Sequence, residues 1–422
     1  MGWRNQLGRL KVAEATTRLA SLVSRPYRHA PMSPTPSPAP PRILVAAYQI
    51  RARSNGGMES ATRLFEALSD TFDWSLVTTR DMPRTQRWRD RGARVAIAPF
   101  NSEKPRWYRR LQGIAWSARL GREILRSRPA VVHCNDIQSY QAYSFLPAFL
   151  RRAPLLFTLR DTRPPGDRPG AIWHALAQEA RAIVVLSKEM GARLVEDVPG
   201  ASDKITVINS IVDLDRYAPA NPADRRRIRT RLGIGDDELV IACIGAVGEK
   251  KGQLDLIRKT WPQVKARLPA ARLHLLGDCD TASSAYTQDV VAAARAAPGA
   301  GVVVHGHVDG MAEWYKASDV ICIAARNEGL ARAMIEGMAS GVPVVSFDVC
   351  SAKEMLSATG AGVVVETGDH DGLAAALVAL DDPHRRHTMG MRGRETALAL
   401  FDQAHIAGQW HDLYQSVLRY SE

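Results

Sequence analysis

Two glutamates eight residues apart are the residues whose spacing in this chain most directly suggests chemistry. Glu328 and Glu336 lie in the segment "NEGLARAMIEGMASGVPVV", where a strand-like run precedes a predicted helix from Gly329 to Ser340. A carboxylate accepts hydrogen bonds from paired hydroxyl groups, which suits it to holding a sugar. The predicted helix is otherwise almost wholly apolar or small, so the charge of Glu336 indicates a buried partner or a function.

The start of this helix predicts an anion site between the two carboxylates. Free backbone amides near Leu330, Ala331 and Arg332, together with the helix dipole, favour a diphosphate. A hexose at Glu328, a diphosphate at the helix start and a ribose at Glu336 would then be parts of one ligand. We therefore predict that the ligand is a nucleoside-diphosphate sugar. The alternative, an exposed pair of solvated glutamates, fits the apolar helix poorly.

Two series of short β-branched runs must position these residues. Seven runs lie before a charged, proline-containing connector that begins near residue 215, and six runs follow it, with helix-length segments between them. This alternation is typical of parallel strands joined by crossover helices. We predict an α/β protein of two doubly wound, Rossmann-like domains facing across a cleft, with ligands beyond the carboxyl ends of the strands.

The pattern also predicts the domain boundaries. Residues 1–42 form a basic N-terminal segment with a proline-rich linker. Residues 43–216 form an acceptor-binding domain and residues 217–400 a nucleotide-sugar-binding domain. Residues 401–422 form a C-terminal helix that packs back on the first domain.

Composition and charge argue against several classes of function. The 422 residues are 45% hydrophobic and 24% charged, and no apolar run reaches the roughly 18–20 residues of a membrane span. The five scattered cysteines include no C-x-x-C pair, which predicts a reducing, cytoplasmic compartment and no zinc site. The net charge of +12 comes without any helix-turn-helix, finger or RNA-recognition signature, so we predict no nucleic-acid partner.

The basic residues are concentrated in two segments, and both suggest an anionic surface. Residues 1–42 hold seven Lys or Arg against one acid, and residues 80–128 hold fourteen against four. The second segment places Trp107, Leu111 and Ile114 beside Arg109 and Arg110. We predict an anionic acceptor and peripheral association with the inner face of a membrane. Two plainer interpretations stay open: a disordered N-terminal tail, and a core-packed helix with a solvated basic face.

The glutamate segment closely resembles the E-x₇-E signature of the retaining family-4 glycosyltransferases, which have the GT-B fold. Further segments resemble that family in the same order along the chain: "SNGGMES", "PAVVHCND", "VINSIVDLDRY", "IGAVGEKKGQ", "HGHVDGMAEWYKASDV" and "SAKEML". The resemblance covers roughly residues 43–420. It implies retaining transfer of a sugar from a UDP-sugar or GDP-sugar to a lipid-linked or polysaccharide-precursor glycan, without a metal or another cofactor.

The resemblance also implies roles for individual residues. Glu328, facing the donor sugar, and Lys251, holding the diphosphate, are the catalytic candidates. The donor-binding candidates come from the glycine-rich loop, the lysine pair, the helix start, the base loop and the acidic turn: Gly56, Gly57, Lys250, Gly329, Leu330, Ala331, Glu336, Gly306 and Glu354. The candidates for contact with the acceptor or the sugar are His133, Arg160 and Asp161. We expect His133 at a strand end facing the cleft, where a core histidine with satisfied hydrogen bonds is an equal alternative to a ligand contact.

Two departures from the family pattern leave the donor open. Ala246 stands where the family often has an arginine, and Arg160 stands where many members carry a histidine. They also support one alternative function, a non-catalytic nucleotide-sugar-binding subunit. Two further alternatives are a sugar-nucleotide epimerase of the same architecture and a nicotinamide dehydrogenase. The glycine spacing of "GAVGEKKG" argues against the last. An epimerase needs no acceptor and would leave the basic aromatic segment unexplained.

Overall fold

The described part of this computed structural model contains two parallel sheets, one of seven strands and one of six. The structure describes residues 39–49, 56–100, 105–161, 168–280, 284–297, 299 and 301–419. The predictions for the basic N-terminal segment and most of the proline-rich linker fall on residues 1–38, which lie outside the described residues. The first two residues of "SNGGMES" lie outside them as well.

The first sheet has the strand order β3-β2-β1-β4-β5-β6-β7, and its chain order reverses between β1 and β4. Its strands are β1 Arg42–Ala47, β2 Asp73–Thr78, β3 Arg94–Ile97, β4 Val131–Cys134, β5 Leu155–Thr158, β6 Ala180–Val185 and β7 Ile205–Val207. Its helices are α1 Gly56–Leu68, α2 Pro83–Asp90, α3 Arg106–Ser127, α4 Ile137–Ser144, α5 Ala171–Glu179 and α6 Lys188–Asp197, with 3₁₀ turns at Ala148–Leu150 and Pro199–Lys204.

The second sheet has the order β10-β9-β8-β11-β12-β13, which reverses between β8 and β11. Its strands are β8 Leu239–Ile244, β9 Ala271–Leu276, β10 Val302–Gly306, β11 Val320–Ile323, β12 Val344–Phe347 and β13 Gly362–Val365. Its helices are α7 Pro222–Arg231, α8 Gln253–Asp255, α9 Trp261–Arg267, α10 Ala285–Ala296, α11 Met311–Ala317, α12 Arg332–Ala339, α13 His370–Val378 and α14 Pro383–Leu400. In such sheets a ligand binds beyond the carboxyl ends of the strands where the order reverses.

The predicted α/β architecture is confirmed, because each of the thirteen strand-like runs contains or overlaps one of these strands. Strands of a parallel sheet are covered on both faces by helices, so they read as continuous apolar runs. Strands β4, β5, β11 and β12 are buried along their whole length. The predicted boundary between residues 216 and 217 stays a prediction, because Pro41 to the C-terminus groups as one compact unit.

The last helix, α15 Gln403–Arg419, lies against the first sheet although it follows the second. Its buried side chains include Trp410 and Tyr414. The ring of Tyr414 lies 5.4 Å from that of Phe72 and 5.8 Å from that of Trp74, centroid to centroid. The aromatic core of the first sheet is therefore completed by a helix from the far end of the chain.

Among the described residues, we find no helix that combines the length and the apolar character needed to span a bilayer.

Candidate active site

Helix α12, which carries Glu336, begins at Arg332, three residues later than the sequence predicts. The carbonyl of Gly329 accepts a hydrogen bond of 3.3 Å from the Ser351 hydroxyl and takes no part in the helix. A Cβ at Gly329 would lie 2.4 Å from the carbonyl oxygen of Arg160, so this loop is packed directly against the first domain. The free amides at the helix start are consequently those of Arg332 and Ala333.

The end of α12 agrees with the prediction. Gly341 has a φ of +69°, the left-handed conformation that favours glycine after a helix. Its amide donates to the carbonyl of Met338 at 3.0 Å, and the amide of Val342 donates to that of Gly337 at 3.0 Å. These two bonds satisfy carbonyls that the helix leaves free.

Lys251 and Glu328 meet where the order of the second sheet reverses. Lys251 follows β8 and Glu328 follows β11, and these two strands are neighbours. The Nζ atom of Lys251 lies 2.5 Å from Oε1 of Glu328. Glu328 is only 8% exposed, so its negative charge is buried against the lysine. The structure thus brings both predicted catalytic residues together at the predicted edge of the sheet.

Glu336 is paired with Arg332, whose side chain is not among the predicted site residues. Nη2 of Arg332 lies 2.9 Å from Oε1 of Glu336, one helical turn away on the same face. Nη1 of Arg332 donates to the Ser60 hydroxyl on α1 at 3.2 Å, across to the first domain. A Cβ at Gly56 would lie 2.7 Å from Cδ of Arg332, so the glycine leaves room for this side chain. The spacing of four residues between Arg332 and Glu336 is the sequence feature that could have predicted this ion pair.

Two buried tyrosines also face Glu336. Burial, with the negative charge of Glu336 as the next cause, raises the pKa of both Tyr217 and Tyr315. Both hydroxyl groups therefore stay protonated at neutral pH. The carboxylate of Glu336 is accordingly surrounded by neutral hydroxyls and one guanidinium group.

A cluster of arginines forms the opposite wall, on α1 and α2. Arg63, Arg84 and Arg87 all approach Glu59, with nitrogen–oxygen distances of 3.1, 3.0 and 3.3 Å. Burial opposes the charge of Glu59, but the charges of Arg87, Arg63 and Arg84 outweigh it and lower the pKa of Glu59 to about 2. Arg63 also lies 3.4 Å from Asp213, and Arg87 lies 2.5 Å from Glu66, so the charges of this wall form a network of ion pairs.

Arg160 and Asp161 lie at the carboxyl end of β5, beside the cleft. Nε of Arg160 donates to Oδ1 of Asn135 at 3.1 Å, and burial lowers the pKa of Arg160 to about 10. Asp161 forms an ion pair with Lys250, which connects the first domain to the loop after β8.

A cavity of about 650 Å³ lies between the two sheets and collects most of the predicted site. The predicted residues that line it are Gly56, Gly57, Arg160, Asp161, Lys251, Glu328, Leu330, Ala331 and Glu336. Arg332, Arg63, Arg84, Arg87 and Arg216 line it as well. Ala246, the departure noted above, also lies in this lining.

Five predicted residues do not line this cavity: Lys250, Gly329, Gly306, Glu354 and His133. Lys250 forms an ion pair with Asp161 instead of lining the cavity. Gly306 does not line the cavity either, but the loop that follows it, from His307 to Gly310, does. Glu354 accepts a 3.3 Å bond from the amide of Glu189, so it joins the two domains behind the cavity.

The expectation that His133 faces the cleft is wrong, and the alternative of a core histidine with satisfied hydrogen bonds is what the structure shows. The residue is 1% exposed, and its Nδ1 and Nε2 lie 2.8 Å from the Tyr414 hydroxyl and 2.7 Å from the Thr158 hydroxyl. Burial, with the charge of Arg160, lowers the pKa of His133 to about 3. Its position on β4 turns the ring towards α15, which the local sequence could not reveal.

We expect His133→Ala to lower the free energy of unfolding by about 3–5 kcal/mol, because it leaves a cavity and two buried hydroxyls without a partner. Urea denaturation measures this loss, and Tyr414→Phe, which leaves only Nδ1 of His133 without a partner, should cost about 1–3 kcal/mol. Between pH 6.5 and about 3 the unfolded state binds more protons at His133, so stability should fall as the pH falls. Unchanged stability with weaker ligand binding would restore the original prediction.

No group of three or more His, Cys, Asp or Glu side chains placed to hold a metal occurs within the described ranges.

Two family profiles match the chain. Residues 55–209 match the one described as "Glycosyl transferase 4-like domain", and residues 238–382 match "Glycosyl transferases group 1". A D-inositol 3-phosphate glycosyltransferase of Xylanimonas cellulosilytica is 30% identical over 302 residues, which cover 64% of this chain and 70% of that one. The chain belongs to the family-4 glycosyltransferases.

Other relatives of this glycosyltransferase agree on the family and the fold. A GDP-mannose-dependent monoacylated alpha-(1-6)-phosphatidylinositol monomannoside mannosyltransferase of Corynebacterium glutamicum is 33% identical over 209 residues, 47% of this chain and 50% of the relative. The match thus spans only half the length of that relative. The crystal structure of HepE of Anabaena in complex with UDP-glucose has a TM-score of 0.75 at 18% identity, covering 89% of this chain and 99% of that one. This similarity confirms the GT-B fold.

Proposed function

We propose that this glycosyltransferase moves a sugar from a nucleoside-diphosphate sugar to a lipid-linked or polysaccharide-precursor glycan, with retention of the anomeric configuration. The observation that carries the proposal is that two ion pairs line one cavity. Lys251 pairs with Glu328, and Arg332 pairs with Glu336. Each pair offers a cation for a phosphate and a carboxylate for sugar hydroxyls. Their position between the two sheets leaves room for a donor and an acceptor.

In this proposal the donor lies along α12. Its diphosphate contacts Lys251, the guanidinium of Arg332 and the free amides at the helix start, where positive charge stabilises the leaving group. Glu336 accepts hydrogen bonds from the ribose, and Glu328 from the transferred sugar. Arg332 supplies the cation that the family often has where this chain has Ala246. The two cations make a metal or another cofactor unnecessary in this scheme.

The relatives suggest which donors to test. The Corynebacterium relative is named for its dependence on GDP-mannose, and HepE was crystallised with UDP-glucose. We therefore propose a UDP-sugar or a GDP-sugar as the donor. The Corynebacterium relative is also named for a phosphatidylinositol mannoside, which supports a lipid-linked acceptor here.

A thermal-shift panel tests the donor proposal. UDP, GDP, UDP-glucose and GDP-mannose are added separately, and a true ligand at a hundred times its Kd should stabilise the protein by about 2.7 kcal/mol. Positive sugar nucleotides are then incubated without an acceptor. Slow hydrolysis with retained sugar configuration agrees with the proposal, whereas release of an epimer identifies an epimerase. A panel of nucleoside-diphosphate sugars that leaves the melting temperature unchanged contradicts the proposal.

We further propose that α3 places the enzyme on the inner face of a membrane. Trp107, Leu111 and Ile114 are 64%, 54% and 67% exposed, and Arg109 and Arg110 beside them are exposed as well. Exposed apolar side chains among arginines are typical of a helix that binds the surface of an anionic bilayer. Each arginine near such a surface contributes about 1 kcal/mol.

Sedimentation with vesicles tests this surface. We expect the protein to bind phosphatidylglycerol-containing vesicles, to ignore pure phosphatidylcholine, and to dissociate as salt is raised. Replacing Trp107 and Ile114 by serine should weaken binding at every salt concentration, and Arg109→Ser with Arg110→Ser should weaken it most at low salt. The matched control replaces the exposed Arg226 and Arg385 of the second domain by serine. Equal binding by all variants would rule this surface out.

A further inference from the structure

Three large apolar side chains are exposed at the amino edge of the first sheet, away from the candidate active site. Leu125, Phe145 and Phe149 are 60%, 74% and 60% exposed. Leu125 lies in the last turn of α3, shortly before β4 begins, and the two phenylalanines lie in the connection from α4 to β5. We call these three residues the distal patch. Exposed apolar side chains that lie together indicate a surface that contacts a membrane or another protein.

Gly121 of α3 brings the distal patch together. A Cβ at this glycine would lie 3.1 Å from the side chain of Leu146 and 3.2 Å from that of Leu150, and both leucines are buried. Each of these leucines directly follows one phenylalanine of the patch, and Leu125 lies one helical turn after Gly121. The close contact at Gly121 therefore places all three exposed side chains beside one another.

The distal patch continues an exposed stripe along α3. Leu125 follows Trp107 by eighteen residues, which is five turns of 3.6 residues, so both lie on the same side of the helix. Leu111, Ile114 and Ala118 are exposed as well and lie on that side between them. At 1.5 Å per residue the stripe is about 27 Å long.

The stripe runs from one edge of the first sheet to the other. Helix α3 follows β3 and leads into β4, and these strands are parallel members of one sheet. Its first residues consequently lie at the carboxyl edge, beside the cleft, and its last residues lie at the amino edge. Contact at both ends of the stripe would fix the angle between the protein and a flat surface, whereas contact at one end would leave that angle free.

The charge around the stripe selects an anionic partner. Among the described side chains between residues 105 and 152, every exposed charged group is an arginine: Arg109, Arg110, Arg122, Arg126, Arg128 and Arg152. The two acidic residues of this range, Glu123 and Asp136, are not exposed. Two copies of this face would repel each other, so the charge argues against self-association and favours a surface rich in anionic groups.

We propose that the distal patch inserts into the boundary between headgroups and acyl chains of an anionic bilayer, so that α3 lies flat on the membrane along its whole length. The inference rests on the proposed role of α3, to which it adds a second contact and an orientation. The apolar side chains leave water at this depth, while the arginines reach the lipid phosphates. In this orientation the cleft opens alongside the headgroups, where a lipid-linked acceptor presents its glycan.

Sedimentation of the full chain with vesicles that contain phosphatidylglycerol tests the distal patch. Phe145→Ser with Phe149→Ser should lower the partition coefficient about tenfold or more at every salt concentration, because salt does not screen apolar contacts. Both side chains are exposed, so the melting temperature should stay unchanged. The matched control is Met391→Ser with Leu398→Ser, which removes two exposed apolar side chains of α14 in the second domain and should not affect binding.

Phe149→Trp reports the orientation. Tryptophan keeps an aromatic side chain at this position, so the variant should bind the same vesicles as tightly as the unchanged protein. Its added fluorescence, taken as the difference from the unchanged protein, should be quenched by brominated lipid in the vesicles. The added fluorescence of Leu398→Trp, on α14, should not be quenched.

The outcomes separate this inference from the proposals on which it rests. If the unchanged protein ignores anionic vesicles, both the α3 surface and the distal patch are wrong, and the donor proposal is unaffected. If Trp107→Ser with Ile114→Ser weakens binding but the double phenylalanine variant binds normally, α3 contacts the membrane only at its cleft end and the distal patch proposal is wrong. A phenylalanine variant that turns a dimer into a monomer, with unchanged vesicle binding, would also overturn it.

Discussion

Replacing Glu336 by alanine should reduce the affinity for the nucleoside diphosphate about a hundredfold or more. In the proposed complex its carboxylate accepts two hydrogen bonds from the ribose, and bonds to a charged group contribute about 1.5–3 kcal/mol each. Glu336→Gln should keep part of the affinity, because an amide retains one acceptor oxygen. Isothermal titration with UDP and GDP measures both variants.

Alanine at position 336 also leaves Arg332 without its carboxylate partner, so the melting temperature must be recorded for each variant. Glu354→Ala is the matched control. Glu354 was predicted to bind the donor, but it lies outside the cavity lining, and we expect its replacement to leave the affinity unchanged. Full affinity in a folded Glu336→Ala protein would remove Glu336 from the ribose site.

The second large effect is expected at Lys251, where alanine should reduce kcat about 10²–10³-fold. A preorganised positive group that stabilises the charge of a leaving group contributes on this order. Steady-state transfer to an acceptor, or hydrolysis of the donor in its absence, measures the change. The neighbouring Lys250→Ala is a matched control with the same change of charge, because Lys250 pairs with Asp161 and does not line the cavity. Equal losses in both variants would contradict the role of Lys251.

Glu328 provides a companion test of the sugar position. Glu328→Ala should lower turnover more than the affinity for the bare nucleoside diphosphate, which lacks the transferred sugar. The same loss of affinity for UDP and UDP-glucose, or for GDP and GDP-mannose, would move Glu328 away from the sugar. Glu328→Gln keeps the shape of the side chain and shows whether the negative charge beside Lys251 is required.

The sequence predicted the strands well because their signal is local. Continuous apolar runs mark strands covered on both faces, and residues that follow neighbouring strands must meet at one edge. The approach of Lys251 and Glu328, although they are far apart in sequence, follows from these two rules. Their roles came instead from the resemblance to the family.

The errors arose where contacts between distant segments decide the structure. Helix α12 starts late because Gly329 is engaged with Ser351 and packs against Arg160. His133 turns away from the cleft because Tyr414, 281 residues further along the chain, binds its ring. The hydrogen bond from Arg332 to Ser60 joins the two domains. In the sequence around Arg332, only its spacing from Glu336 indicates a role for this side chain. No periodicity or propensity within a short window reports such contacts.

Helix α15 has a consequence for the order in which the protein is made. The ribosome synthesises all seven strands of the first sheet before it synthesises Trp410 and Tyr414, which complete the aromatic core of that sheet. Until these residues leave the exit tunnel, the nascent first domain lacks the rings that pack against Phe72, Trp74 and His133 in the folded protein. Chains halted before α15 should therefore remain sensitive to protease in the first domain, even though every strand of its sheet is present.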